Sequence, residues 1–167
     1  MQEGSDLTVE KVNKPVEGVV EFKIEGRSHV PVGTKVANYN SNPPSSGDHW
    51  DQPAKNGIYD NRLPDEQLVH NLEHGYVWVS YIPKVQKPEA TEGAQIKQSL
   101  SDEDKKMLEE LVKGDNWKIV MEPREANDST IALVSWGRVL KMDSFNLDLA
   151  REFIKTYRDR GPEKTPE

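Results

Sequence analysis

The chain has 167 residues, enough for one domain with a proper core and too few to expect two. Hydrophobic residues make up 34% and charged ones 31%, and a formal net charge of −7 argues against a nucleic-acid or anionic-membrane surface, since either needs a basic patch. There are no cysteines, which removes disulfides, thiolate metal sites, iron–sulfur clusters and cysteine nucleophiles together and leaves His and Met to hold any soft metal.

In chain order, residues 1–17 are polar and expected to be loose. No apolar run reaches transmembrane length, and Met1 ahead of Gln-Glu-Gly-Ser-Asp reads as a start placed on a trimmed chain, with any signal or anchor lying before it. Val19 to Ile24 has strand character with Val20, Phe22 and Ile24 on one face. From His29 to Leu63 the chain carries Pro31, Gly33, Pro43, Pro44, Gly47, Pro53 and Gly57 and shows no period. Tyr39, Trp50, Ile58 and Tyr59 give this stretch apolar anchors, so it reads as an ordered loop wrapped over the domain.

Residues 63–75 read as a short helix, with Pro64 at its first position, Asp65 and Glu66 at the positive end of its dipole, and Gly75 closing it. Leu68 and Leu72 form a row for the core. Tyr76 to Ile82 is β-branched and aromatic and reads as a central strand stopped by Pro83. Residues 84–100 read as a surface excursion. Ser101 opens the next helix, whose apolar stripe is Met107, Leu108, Leu111 and Val112 and whose end is Gly114. Trp117 to Met121 and Thr130 to Trp136 are strands, with Gly137 kinking the second into Arg138 to Met142. The last helix starts near Ser144, turns Phe145, Leu149, Phe153, Ile154 and Tyr157 inward, and stops at Gly161-Pro162. The expectation is one α+β domain over residues 18–163, with a mostly antiparallel sheet, about three helices and the long ordered Pro-rich loop, followed by a tail at 164–167.

Chemistry concentrates in four histidines, His29, His49, His70 and His74, the only ones in the chain. His70 and His74 are four apart, so their rings project from one helix face about a turn from each other, a plausible metal half-site. The plainer account is two exposed histidines stabilised by a helix C-terminus. His49 follows Pro43-Pro44-Ser45-Ser46-Gly47-Asp48 in a rigid loop of the kind that often carries function. His70-Asn71-Leu72-Glu73-His74 also matches the H-x-x-E-H string of inverzincin proteases, but Gly75 ends the helix at once and leaves no room for that larger domain. No nucleophile elbow, P-loop or dinucleotide fingerprint is present.

Asn42-Pro43-Pro44-Ser45-Ser46-Gly47-Asp48-His49, Gly57-Ile58-Tyr59 and Leu68-Val69-His70-Asn71-Leu72-Glu73-His74-Gly75 together resemble the bacterial domain-of-unknown-function 3105 family. His29-Val30-Pro31 and Gly33 agree at one end, and Ser135-Trp136-Gly137-Arg138 and Arg160-Gly161-Pro162-Glu163 at the other, so the resemblance spans roughly residues 25–163. It implies a secreted, periplasmic or membrane-anchored protein, and it places the family's motif histidines on His29, His49, His70 and His74.

The leading expectation is an extracytoplasmic metal-binding protein engaged in metal handling rather than catalysis. Copper is the first choice of ion and zinc the alternative, because imidazoles suit both. The expected ligands are His49, His70 and His74, with Met121 as a thioether that would tilt the site toward Cu(I), and His29; Met142 and Met107 are rivals to Met121, Met107 fitting a buried helix stripe better. Glu73 and Asp48 stand as acceptors that orient an imidazole. The partners are the metal ion and a protein that donates or receives it, with no nucleic acid, and the membrane only through an anchor. Two other classes stay open. One is a zinc or copper enzyme with an open coordination position and Glu73 as base. The other is an interaction module presenting Tyr39, Trp50 and Tyr59 to a partner.

Overall fold

A computed structural model describes residues 9–84 and 98–167, so most of the excursion expected over 84–100 lies outside the described residues. The elements are β1 (Val20–Glu21), β2 (His29–Val30), β3 (His49–Trp50), β4 (Gly57–Ile58), α1 (Asp65–Glu73), β5 (Val77–Tyr81), α2 (Asp102–Gly114), β6 (Ile119–Pro123), β7 (Ile131–Ser135), β8 (Arg138–Met142) and α3 (Leu147–Tyr157). Six strands form one sheet in the order β1-β8-β7-β5-β6-β4, antiparallel from β1 through β5 and parallel from β5 to β4. β2 and β3 pair alone, in parallel. The α+β single domain with a mostly antiparallel sheet and three helices is thus the fold.

Helices cover both faces of the sheet, which is why its central strands are apolar without alternation. Strand parity still sorts the side chains. Val77, Val79, Ile119, Met121, Ile131, Leu133, Leu140 and Met142 face α2 and α3, meeting Leu108, Val112, Phe153, Ile154 and Tyr157. Trp78, Val120, Val134 and Val139 face the other way, onto Leu68, Val69 and Leu72 of α1 and onto Trp136 and Ile24. Each fully buried leucine here contributes about 1.5–3 kcal/mol by leaving water. β5 lies between β6 and β7, as its uninterrupted hydrophobicity predicts.

Several local expectations shift. Only Val20–Glu21 of the predicted 19–24 strand pairs, against β8, and Val20 is exposed while Ile24 is buried. The chain from Val9 is not loose: Val16 is buried, its amide donates to Tyr157 Oη at 2.9 Å, and Glu10 meets Arg160 and Lys164. Pro64 caps α1 rather than entering it. Trp117 lies outside β6 and is exposed, because Lys118 takes a positive φ of 47° and the strand begins after it. Met107 is exposed, so the inward stripe of α2 is Leu108 and Val112, with Leu111 partly buried. Gly137, at φ 75°, does more than kink: with Trp136 it forms the tight turn joining β7 to β8 as a hairpin. Asn146, not Ser144, caps α3, accepting from Leu149 N. Among the described residues no helix is long and apolar enough to cross a membrane.

One buried acid sits in this framework. Glu122, on the α1 side of β6, accepts from Leu63 N at 2.6 Å and from Trp78 Nε1 at 3.2 Å. Burial pushes its carboxyl up to about 7, with Asp65 adding to the push and the two donors and Arg124 opposing it. A raised folded-state value means the native protein binds more protons than the unfolded chain between the ordinary value and about 7. This contribution to stability is therefore present at low pH, falls as pH climbs through that window, and levels off above it. Urea unfolding of the wild type and Glu122→Gln should show the wild type losing about 2 kcal/mol relative to the variant between pH 5 and pH 8; parallel stability curves would contradict the assignment.

Candidate metal centre

α1 and the Pro-rich loop build the site together. The parallel pairing of β2 with β3 sets His29 opposite His49, held by His49 N to Ser28 O at 3.0 Å and Asp51 N to Val30 O at 3.2 Å. Residues paired in register on neighbouring strands project to the same face. The two imidazoles accordingly sit with ring centroids 5.0 Å apart. α1 then brings His70 to 5.0 Å from both rings, and His74, one turn on, to 4.6 Å from His70. The four histidines thus share one locus, although His29, His49 and His70 lie about twenty residues apart along the chain.

Asn71, buried between the two histidines of α1, fastens the loop to the helix. Its Oδ1 accepts from Ala54 N at 2.8 Å and its Nδ2 donates to Ala54 O at 2.8 Å, imitating a backbone pair. The helix ends in a Schellman motif, with Tyr76 N bonded to Asn71 O and Gly75 N to Leu72 O, and Gly75 at φ 90°. Lys118, fully buried, donates to His74 O at 2.9 Å and to Asp159 Oδ1 at 2.8 Å, which ties the end of α1 to the chain after α3.

Backbone carbonyls fix two of the rings. His49 Nδ1 lies 2.8 Å from Gly47 O and His70 Nδ1 2.6 Å from Trp50 O. A carbonyl can only accept, so in each ring Nδ1 carries the hydrogen and Nε2 is the nitrogen left to face the site. Burial lowers the tendency of His70 to protonate, the Trp50 carbonyl opposing this and His74 and His49 reinforcing it. Ring nitrogens of His29, His49 and His70 all lie within 4.8 Å of one another, as do donor atoms of His70, Glu73 and His74. His70 Nε2 and His74 Nε2 are 3.1 Å apart. His29 is exposed and His74 partly so, and these two form the rim.

Glu73 completes the group. Its Oε2 accepts from Arg27 Nε at 2.9 Å, while Oε1 lies 3.4 Å from His49 Nε2 and 3.6 Å from His29 Nε2. Burial raises its carboxyl, but the His49 ring, Glu163 and Arg27 outweigh that and hold it well below the usual carboxylate range. Among the described residues, His49 Nε2 and Glu73 Oε1 are buried without a hydrogen-bond partner.

The other expected members fall elsewhere. Met121 and Met142 are buried in the core on the α2/α3 face of the sheet, across it from α1, and neither thioether faces the histidines. Met107 is exposed on α2. Asp48 accepts from Ser28 N at 3.3 Å instead of orienting a ring. Tyr39 donates to Asp48 O, Trp50 to Thr34 O and Tyr59 to Lys55 O, so these aromatics fasten the loop internally. Arg27 and Asn71 escaped notice in the sequence. Asn71 had a signal in its place between two site histidines; Arg27 had none.

A model of the family described as a protein of unknown function, DUF3105, matches residues 29–167. No curated protein and no solved structure matches the chain.

The segment after α3 seals the end of α1 beside His74: Asp159 N donates to Gly75 O and Glu163 N to Glu73 O, at 2.8 and 3.0 Å. A Cβ on Gly161 would fall against Glu73 O, Gly75 N and Leu72 O inside van der Waals contact. Gly161→Ala should cost about 1–3 kcal/mol in urea unfolding and speed hydrogen exchange at the Glu163 amide; unchanged exchange would show that this seal does not depend on the close approach.

Proposed function

The chain belongs to the DUF3105 family of proteins of unknown function, and we propose from the geometry of its own site that it is an extracytoplasmic metal-binding protein acting in metal handling. One observation carries the reading: His29, His49 and His70 bring ring nitrogens within 4.8 Å of one another, two of them with Nδ1 taken by a carbonyl and Nε2 left to the site. Three imidazoles at that spacing, each oriented or packed by other groups, form a donor set for copper, with zinc as the alternative. Metal-binding histidines characteristically give their second nitrogen to a carbonyl or carboxylate. His74 flanks the trio, 3.1 Å from His70 through their Nε2 atoms.

The exposed His29 and partly buried His74 give an ion a path from solvent, and hence exchange with a protein that donates or receives it. The extracytoplasmic setting is that of the secreted and membrane-anchored proteins whose motifs the chain resembles. The membrane enters this reading only through an anchor outside these residues.

Titration calorimetry with Cu(II), Zn(II) and Cu(I) tests the proposal. The wild type should bind one ion per chain, and His49→Ala and His70→Ala should each weaken binding on the order of a hundredfold. Met121→Leu should leave affinity unchanged. Equal affinity in the folded histidine variants and the wild type would sink the proposal.

A further inference from the structure

The metal-binding reading leaves open what charge and hardness of ion the site accepts, and Glu73 decides this. The residue is 1% exposed, and Arg27 holds its Oε2, so Oε1 alone is turned to the histidines. Nδ1 of His49 donates to Gly47 O, which leaves Nε2 turned toward Glu73. Buried His49 Nε2 and Glu73 Oε1 lie 3.4 Å apart, and neither has a hydrogen-bond partner among the described residues. Polar atoms removed from water and left unpaired are unfavourable. A cation placed among them relieves both.

The spacing fits that role. Two donors bound tetrahedrally to one ion at about 2.0–2.1 Å are separated by about 3.3–3.4 Å. Glu73 Oε1 stands 3.4 Å from His49 Nε2 and 3.6 Å from His29 Nε2. We infer that Glu73 is itself a ligand through Oε1, and that the site takes copper as Cu(II), or Zn(II), in preference to Cu(I).

The chemistry of the donors gives the preference its direction. Cu(I) favours thioether and thiolate ligands, whereas nitrogen and carboxylate oxygen suit the divalent ions. The chain has no cysteine, and Met121 and Met142 lie in the core across the sheet. One anionic oxygen added to neutral imidazoles partly balances a divalent charge and fully cancels a monovalent one, so the electrostatic attraction also favours the divalent ion.

This inference rests on the metal-binding reading, and the experiment separates the two. Competition titrations of the wild-type chain and Glu73→Gln are run with Cu(II), Zn(II) and, under reductant, Cu(I). The expected result is tighter binding of the divalent ions by the wild type, with Glu73→Gln losing roughly a hundredfold for Cu(II) and Zn(II) and little for Cu(I). The Zn(II)-minus-apo infrared difference spectrum of the wild type should also show a displaced carboxylate band. This needs no variant and decides the matter if Glu73→Gln does not fold. Equal divalent affinity in Glu73→Gln, a wild type that favours Cu(I), or an unmoved carboxylate band would each overturn the inference. A wild type that binds no ion at all would instead overturn the metal-binding reading beneath it.

Discussion

The site depends on the docking of α1 against the Pro-rich loop, and Asn71 is the fastener. Both polar atoms of its side chain pair with the backbone of Ala54, so a loop segment with no periodic structure is held as a strand would be held. Leu68, Val69 and Leu72 anchor the same helix to the sheet. Buried polar pairs of this kind are rigid because breaking them strands two groups away from water. The residues from His70 to His74 divide the work among themselves. His70 and His74 face the locus, Asn71 holds the loop, Leu72 fills the core, and Glu73 meets Arg27 and the rings.

Around that fastener the protein tolerates a local conflict. Among the described residues most buried polar groups are paired, including Arg124 with Asp65, Asn42 and Asn127, and Lys118 with Asp159 and a helix end. His49 Nε2 and Glu73 Oε1 are exceptions in the place where four imidazoles meet, and Ser135, Trp136, Arg138 and Thr165 hold others elsewhere. The carbonyls of Gly47 and Trp50 keep the rings from turning to relieve the conflict.

The sheet divides the molecule into a side that carries the histidines and a side packed by α2 and α3. Alternation along β6 sends Ile119 and Met121 to the α2/α3 core, and Val120 and Glu122 to the α1 side. Met121 looked eligible as a ligand from its place at the end of a predicted strand. A shift of one residue in parity would have turned it toward the histidines; the actual parity makes it a core side chain.

Short-range physics made much of this protein legible from its residues. The four-residue spacing of His70 and His74, the capping Ser101 of α2, the stop at Gly75 and the apolar run of β5 each rest on interactions within a turn or a strand, and each stands in the structure. The single α+β domain followed from their alternation. What tertiary structure alone decided involves contacts between distant residues in a stretch rich in Pro and Gly. The pairing of His29 with His49 across the loop, the carbonyls that choose each tautomer, and the face of the sheet that α1 covers have no periodic trace in the chain. Backbone carbonyls are present at every residue, so no amino-acid type marks the ones that fix a ring. The residues announced which side chains could bind an ion; the fold decided that the rings meet, that Glu73 joins them and that Met121 does not.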